Sequence, residues 1–243
     1  MKSSSLLIAA ALINLVAAGC LNGQEDAPRV TLFQNVRVFD GKSDKLTAPL
    51  HVLVRGKLIE NISDKAISTD RRGDTLIIDG EGRTLMPGLI DAHTHIMFSD
   101  IAMVAAFTSD IGFVNVAAAK AVDDMLLRGF TSIRDLGGPV FGLKNGIDLG
   151  LARGPRIWPS GALISQTDGH GDFRLLNDMP ARPDDFTYTE RVGAAAIADD
   201  ADTVRKRTRE QLALGVSQIR PPHTPSPHPV RAQLDPHPSK AIS

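Results

Sequence analysis

From Thr31 to Met86 the chain alternates apolar and polar positions in short runs broken by turn signals. TLFQNVRVF stops at Asp40-Gly41, HVLV at Arg55-Gly56-Lys57 before LIENI, and DTLIID at Gly80-Glu81-Gly82 before RTLM. Period-two alternation puts one set of side chains on each face of a strand, and Gly or Asp-Gly breaks permit tight reversals. The pattern therefore predicts a small antiparallel β unit over residues 30–86. After Met86 the runs LIDAHTH, FTSIRD, RIWPSGALI and VSQI read as strands, separated by helical stretches ending near Gly129, Gly154 and Gly215. That β-α-β-α order predicts a parallel sheet or barrel over residues 87–220.

Within the helical stretches, Val116, Ala119, Val122 and Met125/Leu126 recur at spacings of three to four and predict one apolar stripe, with Gly129 at the C-terminal cap. Asp199, Asp200 and Asp202 precede Arg205, Lys206, Arg207 and Arg209, the charge order that suits the helix dipole. The charges themselves read as a solvated face.

The two ends depart from this pattern. Lys2 is followed by an apolar stretch, Leu6 to Ala18, interrupted only by Asn14. It is shorter than the ~18 apolar residues of a membrane span and suits a signal-peptide core over residues 1–19. Ala17, Ala18 and Gly19 before Cys20 resemble a bacterial lipobox. Lipidation of Cys20 and an ordinary signal-peptidase site are both open, and either implies export, to the periplasm or to a lipid-anchored membrane surface. Residues 221–243 hold 7 of the 15 prolines and 3 of the 7 histidines. Proline lacks the N–H that helices and central strands need, so this tail is expected to be disordered. Its His223, His228 and His237 could serve as a metal-binding tail, and Pro222 and Pro225 as a recognition peptide; the abrupt change of composition favours a frameshift or gene-model error.

Composition narrows the function. With 28 acidic against 27 basic side chains the net charge is −1, which leaves no electrostatic footprint for nucleic acid. A single Cys excludes an internal disulfide and a Cys-based zinc finger. Chemistry concentrates instead at LMPGLIDAHTH (85–95), where His93 and His95 stand two apart at the end of an apolar strand. Period two puts both imidazoles on one face, and Asp91 shares that face. Two neutral imidazoles on a rigid strand suit Zn²⁺, Mn²⁺ or Fe²⁺, with a carboxylate to orient a ring N–H.

LMPGLIDAHTH resembles the first barrel strand of the amidohydrolase superfamily, metal-dependent hydrolases with a TIM-type barrel beside a small β-sandwich. GFTSIRDLGG (129–138), GPRIWPSGALIS (154–165) and GHGD (169–172) resemble its imidazolonepropionase-like and Xaa-Pro dipeptidase-like branch. The resemblance covers about residues 30–220. It implies an α/β fold, a partial TIM-type barrel of about four β/α units preceded by a small β-sandwich unit, since a full barrel takes ~250 residues. It implies metal-assisted hydrolysis of C–N bonds in a small amide, cyclic amide or Xaa-Pro dipeptide, with one or two divalent metals, zinc first, held by His93 and His95.

The resemblance also implies a lysine after the fourth strand, carboxylated to bridge two metals. That position holds Arg220, whose guanidinium stays protonated and cannot form a carbamate. Further histidines and the general-base aspartate of later strands have no counterpart, so no catalytic residue is assigned. With His93 and His95 as the only matching ligands, weak metal binding and no turnover are expected. The open edge of the half-barrel predicts low stability or self-association.

Two accounts follow. One is a truncated or frameshifted amidohydrolase gene product, and the other a non-catalytic exported lipoprotein that uses the half-barrel as an interaction module. His170, in the GHGD loop, reads as a substrate contact or as a loop histidine among flexible glycines. Arg134 and Asp135 read as site groups or as an ion pair fixing a loop. Trp158 and Tyr188 read as packing groups, and His51 as structural.

Overall fold

The computed structural model describes residues 29–69, 75–178 and 185–220. Residues 1–19, expected to be a signal peptide, Cys20 and the proline-rich stretch 221–243 lie outside the described residues. The chain divides between Pro87 and Gly88 into two compact units.

In the first unit β1 (Val30–Val38) is central. β2 (Leu50–Arg55) pairs antiparallel with β1, and β3 (Leu58–Ser63) antiparallel with β2 through a two-residue turn at Gly56-Lys57. β4 (Thr75–Asp79) and β5 (Thr84–Leu85) both pair parallel with β1, the first along Val30 to Gln34 and the second at Arg37 and Val38. The unit is thus a mixed sheet, not the antiparallel one that the alternation predicts. Alternation fixes which face a side chain takes and carries no information on strand direction. β3 and β4 are also too far apart in sequence for a hairpin, which leaves a parallel return open. Leu32, Val36, Val52 and Leu53 are buried, with Leu32 opposite Leu53 across β1 and β2 and Val52 on the other face of β2.

In the second unit β6 (Leu89–Thr94), β7 (Phe130–Asp135) and β8 (Arg156–Pro159) make a parallel sheet in that order. α1 (Met103–Thr108) and α2 (Ile111–Leu127) connect β6 to β7, and α3 (Phe141–Asp148) connects β7 to β8. β9 (Leu163–Ser165) and β10 (Ala195–Ile197) form a second parallel pair, preceded at β10 by the short α4 (Tyr188–Arg191) and followed by α5 (Ala201–Ala213). Parallel β/α alternation of this kind is what a barrel segment requires.

The caps follow the sequence: Asp110 accepts from Gly112 N to start α2, and Asp200 accepts from Asp202 N and Thr203 N to start α5. Three details depart from the expected pattern. The buried stripe of α2 is Val114, Ala118, Ala121 and Val122, while Val116 is 72% exposed; the face is rotated toward the contact with Ile133 and Ile157. RIWPSGALI is two strands, because Ser160 to Ala162 turns the chain out of the first sheet and into the second. VSQI forms no strand: residues 216–220 meet β8 through one backbone bond, Ser217 N to Pro159 O at 2.8 Å. A further strand, Ala195–Ile197, lies in the preceding segment and pairs with β9 in the separate two-stranded sheet, although its buried alanines favour a helix locally.

Candidate metal-facing site

His93 lies on β6 and His95 immediately follows it, at the C-terminal edge of the parallel sheet where barrel folds build their sites. Their rings are 5.6 Å apart between centroids and set edge to face. The period-two reading is correct in bringing them together. Asp91 is on the same strand, but its Oδ1 accepts from the backbone N–H of His93 at 3.0 Å and so anchors the main chain as well as sharing the face.

β7 ends in Asp135, which is fully buried. Its Oδ2 accepts from Ile96 N at 2.8 Å and its Oδ1 from Gly137 N at 3.2 Å, so it ties the end of β7 to the turn after His95. Burial pushes its carboxyl up to about 7, against the two N–H donors that favour the ionised form. Arg134 is exposed and Asp135 points to backbone, so the pair forms no ion pair among the described residues.

Arg220 completes this side of the site. Its Nη1 lies 2.8 Å from His95 Nε2 and donates to Leu136 O at 3.2 Å, with the residue only 9% exposed. The segment that delivers it is stitched to the sheet, since Gln218 Nε2 donates to Trp158 O at 2.9 Å and to Asp135 O at 3.2 Å. Burial, then the Arg220 cation, hold His95 down at about 4; His93 and His170 add to this, and hydrogen bonding to the Gly137 backbone opposes it. His95 is therefore neutral across the physiological range. The contact with Arg220 was not legible in the sequence. Its one signal, a basic residue following the fourth apolar run, gave no partner.

His170 is half-buried in the loop after β9 and close enough to act on the charge of His95. The glycines beside it serve close packing: a Cβ on Gly169 would stand 2.4 Å from Ser165 Oγ, and one on Gly171 would stand 3.0 Å from the Cβ atoms of Leu163 and Ser165. Asp172 pins the loop by accepting from Asp168 N at 2.7 Å and from Arg174 Nε at 2.6 Å. Trp158 is 49% exposed and is not the packing group expected, because it alternates outward on β8. Tyr188 does pack, its hydroxyl donating to Ser109 O.

A profile of the amidohydrolase family matches residues 84–240. The chain belongs to the amidohydrolase family. Ochratoxinase from Aspergillus niger is 32% identical over 149 residues, 56% of this chain and 30% of that protein. Among solved structures, a prolidase complexed with N-methylphosphonate-L-proline is 34% identical with a TM-score of 0.68, over 79% of this chain and 46% of that one. The A. niger ochratoxinase structure aligns at 27% identity and a TM-score of 0.61, over 80% and 46%. This amidohydrolase chain thus spans half or less of the length of the relatives it matches.

Members of the family bind divalent metals, and the residues placed here do not fit one as they stand. His95 Nε2 is engaged by Arg220, both oxygens of Asp135 face backbone N–H groups, and among the described residues no cluster of three or more His, Cys, Asp or Glu could hold a metal ion.

Proposed function

We propose that this chain carries the metal-facing part of a hydrolase acting on C–N bonds of small amides or Xaa-Pro dipeptides, and that by itself it binds metal weakly and turns nothing over. The observation that carries the reading is the His93–His95 pair at the C-terminal edge of the first parallel strand, within a family match to an ochratoxinase and a prolidase. His93 and His95 are the metal-facing groups and His170 the substrate-side group, with zinc the first metal to try. The absence of turnover rests on the ligand count: two imidazoles fall short of the three or more protein ligands that catalytic zinc sites use. The reading includes export and a lipid anchor at Cys20, supported by the apolar Leu6–Ala18 stretch that precedes it.

The test is hydrolysis of a panel of Xaa-Pro dipeptides and N-acyl amino acids by the purified chain, with and without Zn²⁺, Mn²⁺ or Co²⁺, read by mass spectrometry. No metal-dependent product is expected. Hydrolysis that needs added metal and disappears in His93→Ala or His95→Ala would establish the reaction class and overturn the claim of inactivity.

A further inference from the structure

We propose that Arg220 is a built-in competitor for the metal position: its guanidinium occupies the lone pair through which His95 would bind a divalent cation, and removing it opens the site. The inference rests on the reading that His95 faces the metal.

A guanidinium has only donors, so in the 2.8 Å contact between Arg220 Nη1 and His95 Nε2 the imidazole must be the acceptor. Nε2 is therefore unprotonated and the ring proton sits on Nδ1. A zinc ion bonds imidazole nitrogen along the same lone pair at about 2.0–2.1 Å. One lone pair cannot serve both, and a donor nitrogen 2.8 Å away stands where the metal must go. Charge acts in the same direction, since a dication entering here meets a fixed positive group in a partly dehydrated setting.

The guanidinium is also held in place. Leu136 O accepts a second bond from the same Nη1, and Ser217 and Gln218 fasten the preceding residues to Pro159, Trp158 and Asp135. Swinging Arg220 aside would break the Leu136 bond and leave a buried carbonyl without that donor. Its described partners are two neutral acceptors, an imidazole and a carbonyl, so no carboxylate among them holds the cation by charge. What Arg220 satisfies is the pair of acceptors that the site leaves open. In that sense it stands where a metal cation would sit.

The experiment is a Zn²⁺ and Co²⁺ titration of the full chain and of Arg220→Met, which keeps the stem and removes the donors. Calorimetry and the visible Co²⁺ absorption are the readouts, and circular dichroism checks the fold. Affinity is expected to rise on the order of ten- to a hundredfold in Arg220→Met, the scale of a hydrogen bond to a charged group. It should fall back when His95→Ala is added. An unchanged affinity in a folded Arg220→Met, or tight zinc in the unsubstituted chain lost on His95→Ala, overturns the proposal.

Should Arg220→Met fail to fold, long-range ¹H–¹⁵N NMR of the unsubstituted chain decides. An Nδ1–H tautomer at His95 upholds the contact, and an Nε2–H tautomer overturns it. Hydrolysis is a separate readout: tighter metal in Arg220→Met without turnover supports the competitor and agrees with the proposed inactivity, whereas turnover with unchanged metal affinity supports the hydrolase class but overturns both the competitor and the claim of inactivity.

Discussion

The carboxylate of Asp135 accepts the backbone N–H of Ile96 at 2.8 Å across 39 residues of sequence. This bond joins the ends of two neighbouring parallel strands beside His95, and the one from Gly137 N, two residues on, fixes the turn that follows β7. Asp135→Ala leaves both buried donors without a partner, and an unsatisfied buried group costs about 1–3 kcal/mol. We expect a loss of roughly 2–5 kcal/mol, read as a lower urea midpoint with an unchanged slope. A loss below roughly 0.5 kcal/mol, the size of an ordinary surface change, would show that the two strand ends do not depend on this carboxylate.

The same carboxylate and His95 set opposing pH dependences. Asp135 is raised from 3.8 to about 7, so the folded state holds its proton more tightly and this group's contribution to stability falls as pH rises from about 4 to about 7. His95 is lowered from 6.5 to about 4, so the unfolded state holds that proton more tightly and its contribution rises with pH from about 4 to about 6.5. Each slope is at most about 1.4 kcal/mol per pH unit, and over the shared window they largely cancel. Relative to the unsubstituted chain, Asp135→Asn should steepen the rise of stability between pH 4.5 and 6.5, and His95→Gln should make stability fall over that range. Urea midpoints measured across the window test the pair; slopes of the same sign would contradict it.

What was legible in the sequence is what period and spacing encode. LIDAHTH places His93 and His95 on one edge because alternation is a geometric property of a strand, and the aspartates near residue 200 cap α5 because a carboxylate suits free N–H groups wherever a helix starts. Strand direction in the first unit was not legible, since the faces of β4 alternate alike whichever way it runs. Nor was β10, where alanines favour a helix locally but close packing against Leu163 and Ile164 prevails. Arg220 and His95 lie 125 residues apart, and no local pattern encodes a contact between them.

Gly137 sits between the site and the second sheet. A Cβ there would come within 2.0 Å of Leu163 Cδ1 and 3.3 Å of His95 Nδ1. Leu163 is itself buried, so its side chain has little room to retreat. Gly137→Ala should therefore cost about 1–3 kcal/mol, the usual range for an overpacked core. It should also shift the His95 ring resonances. Gly146→Ala, where a Cβ meets nothing within 4 Å in the middle of α3, is the control and should be neutral or slightly stabilising. Equal melting temperatures for the two variants would remove the packing argument.

Arg207 departs from the solvated face expected of its helix. Its side chain is 13% exposed, with Nη1 3.0 Å from Glu210, Nη2 3.5 Å from Glu190 and the guanidinium 4.7 Å from the Phe186 ring centroid. Glu190 is 10% exposed and also accepts from Thr187 N at the start of α4, so Arg207 couples α5 to α4. A lysine cannot make these contacts together, because its ammonium is a single point and does not stack on a ring. Arg207→Lys should cost about 1–3 kcal/mol, as loss of a buried network does. Arg205, 59% exposed beside an 85% exposed Asp202, makes an ordinary surface pair, and Arg205→Lys should stay within about 0.5 kcal/mol. Raising salt to 1 M screens exposed pairs far more than buried ones. The difference between the two variants should therefore persist at high salt, and its collapse would place Arg207 with the surface charges after all.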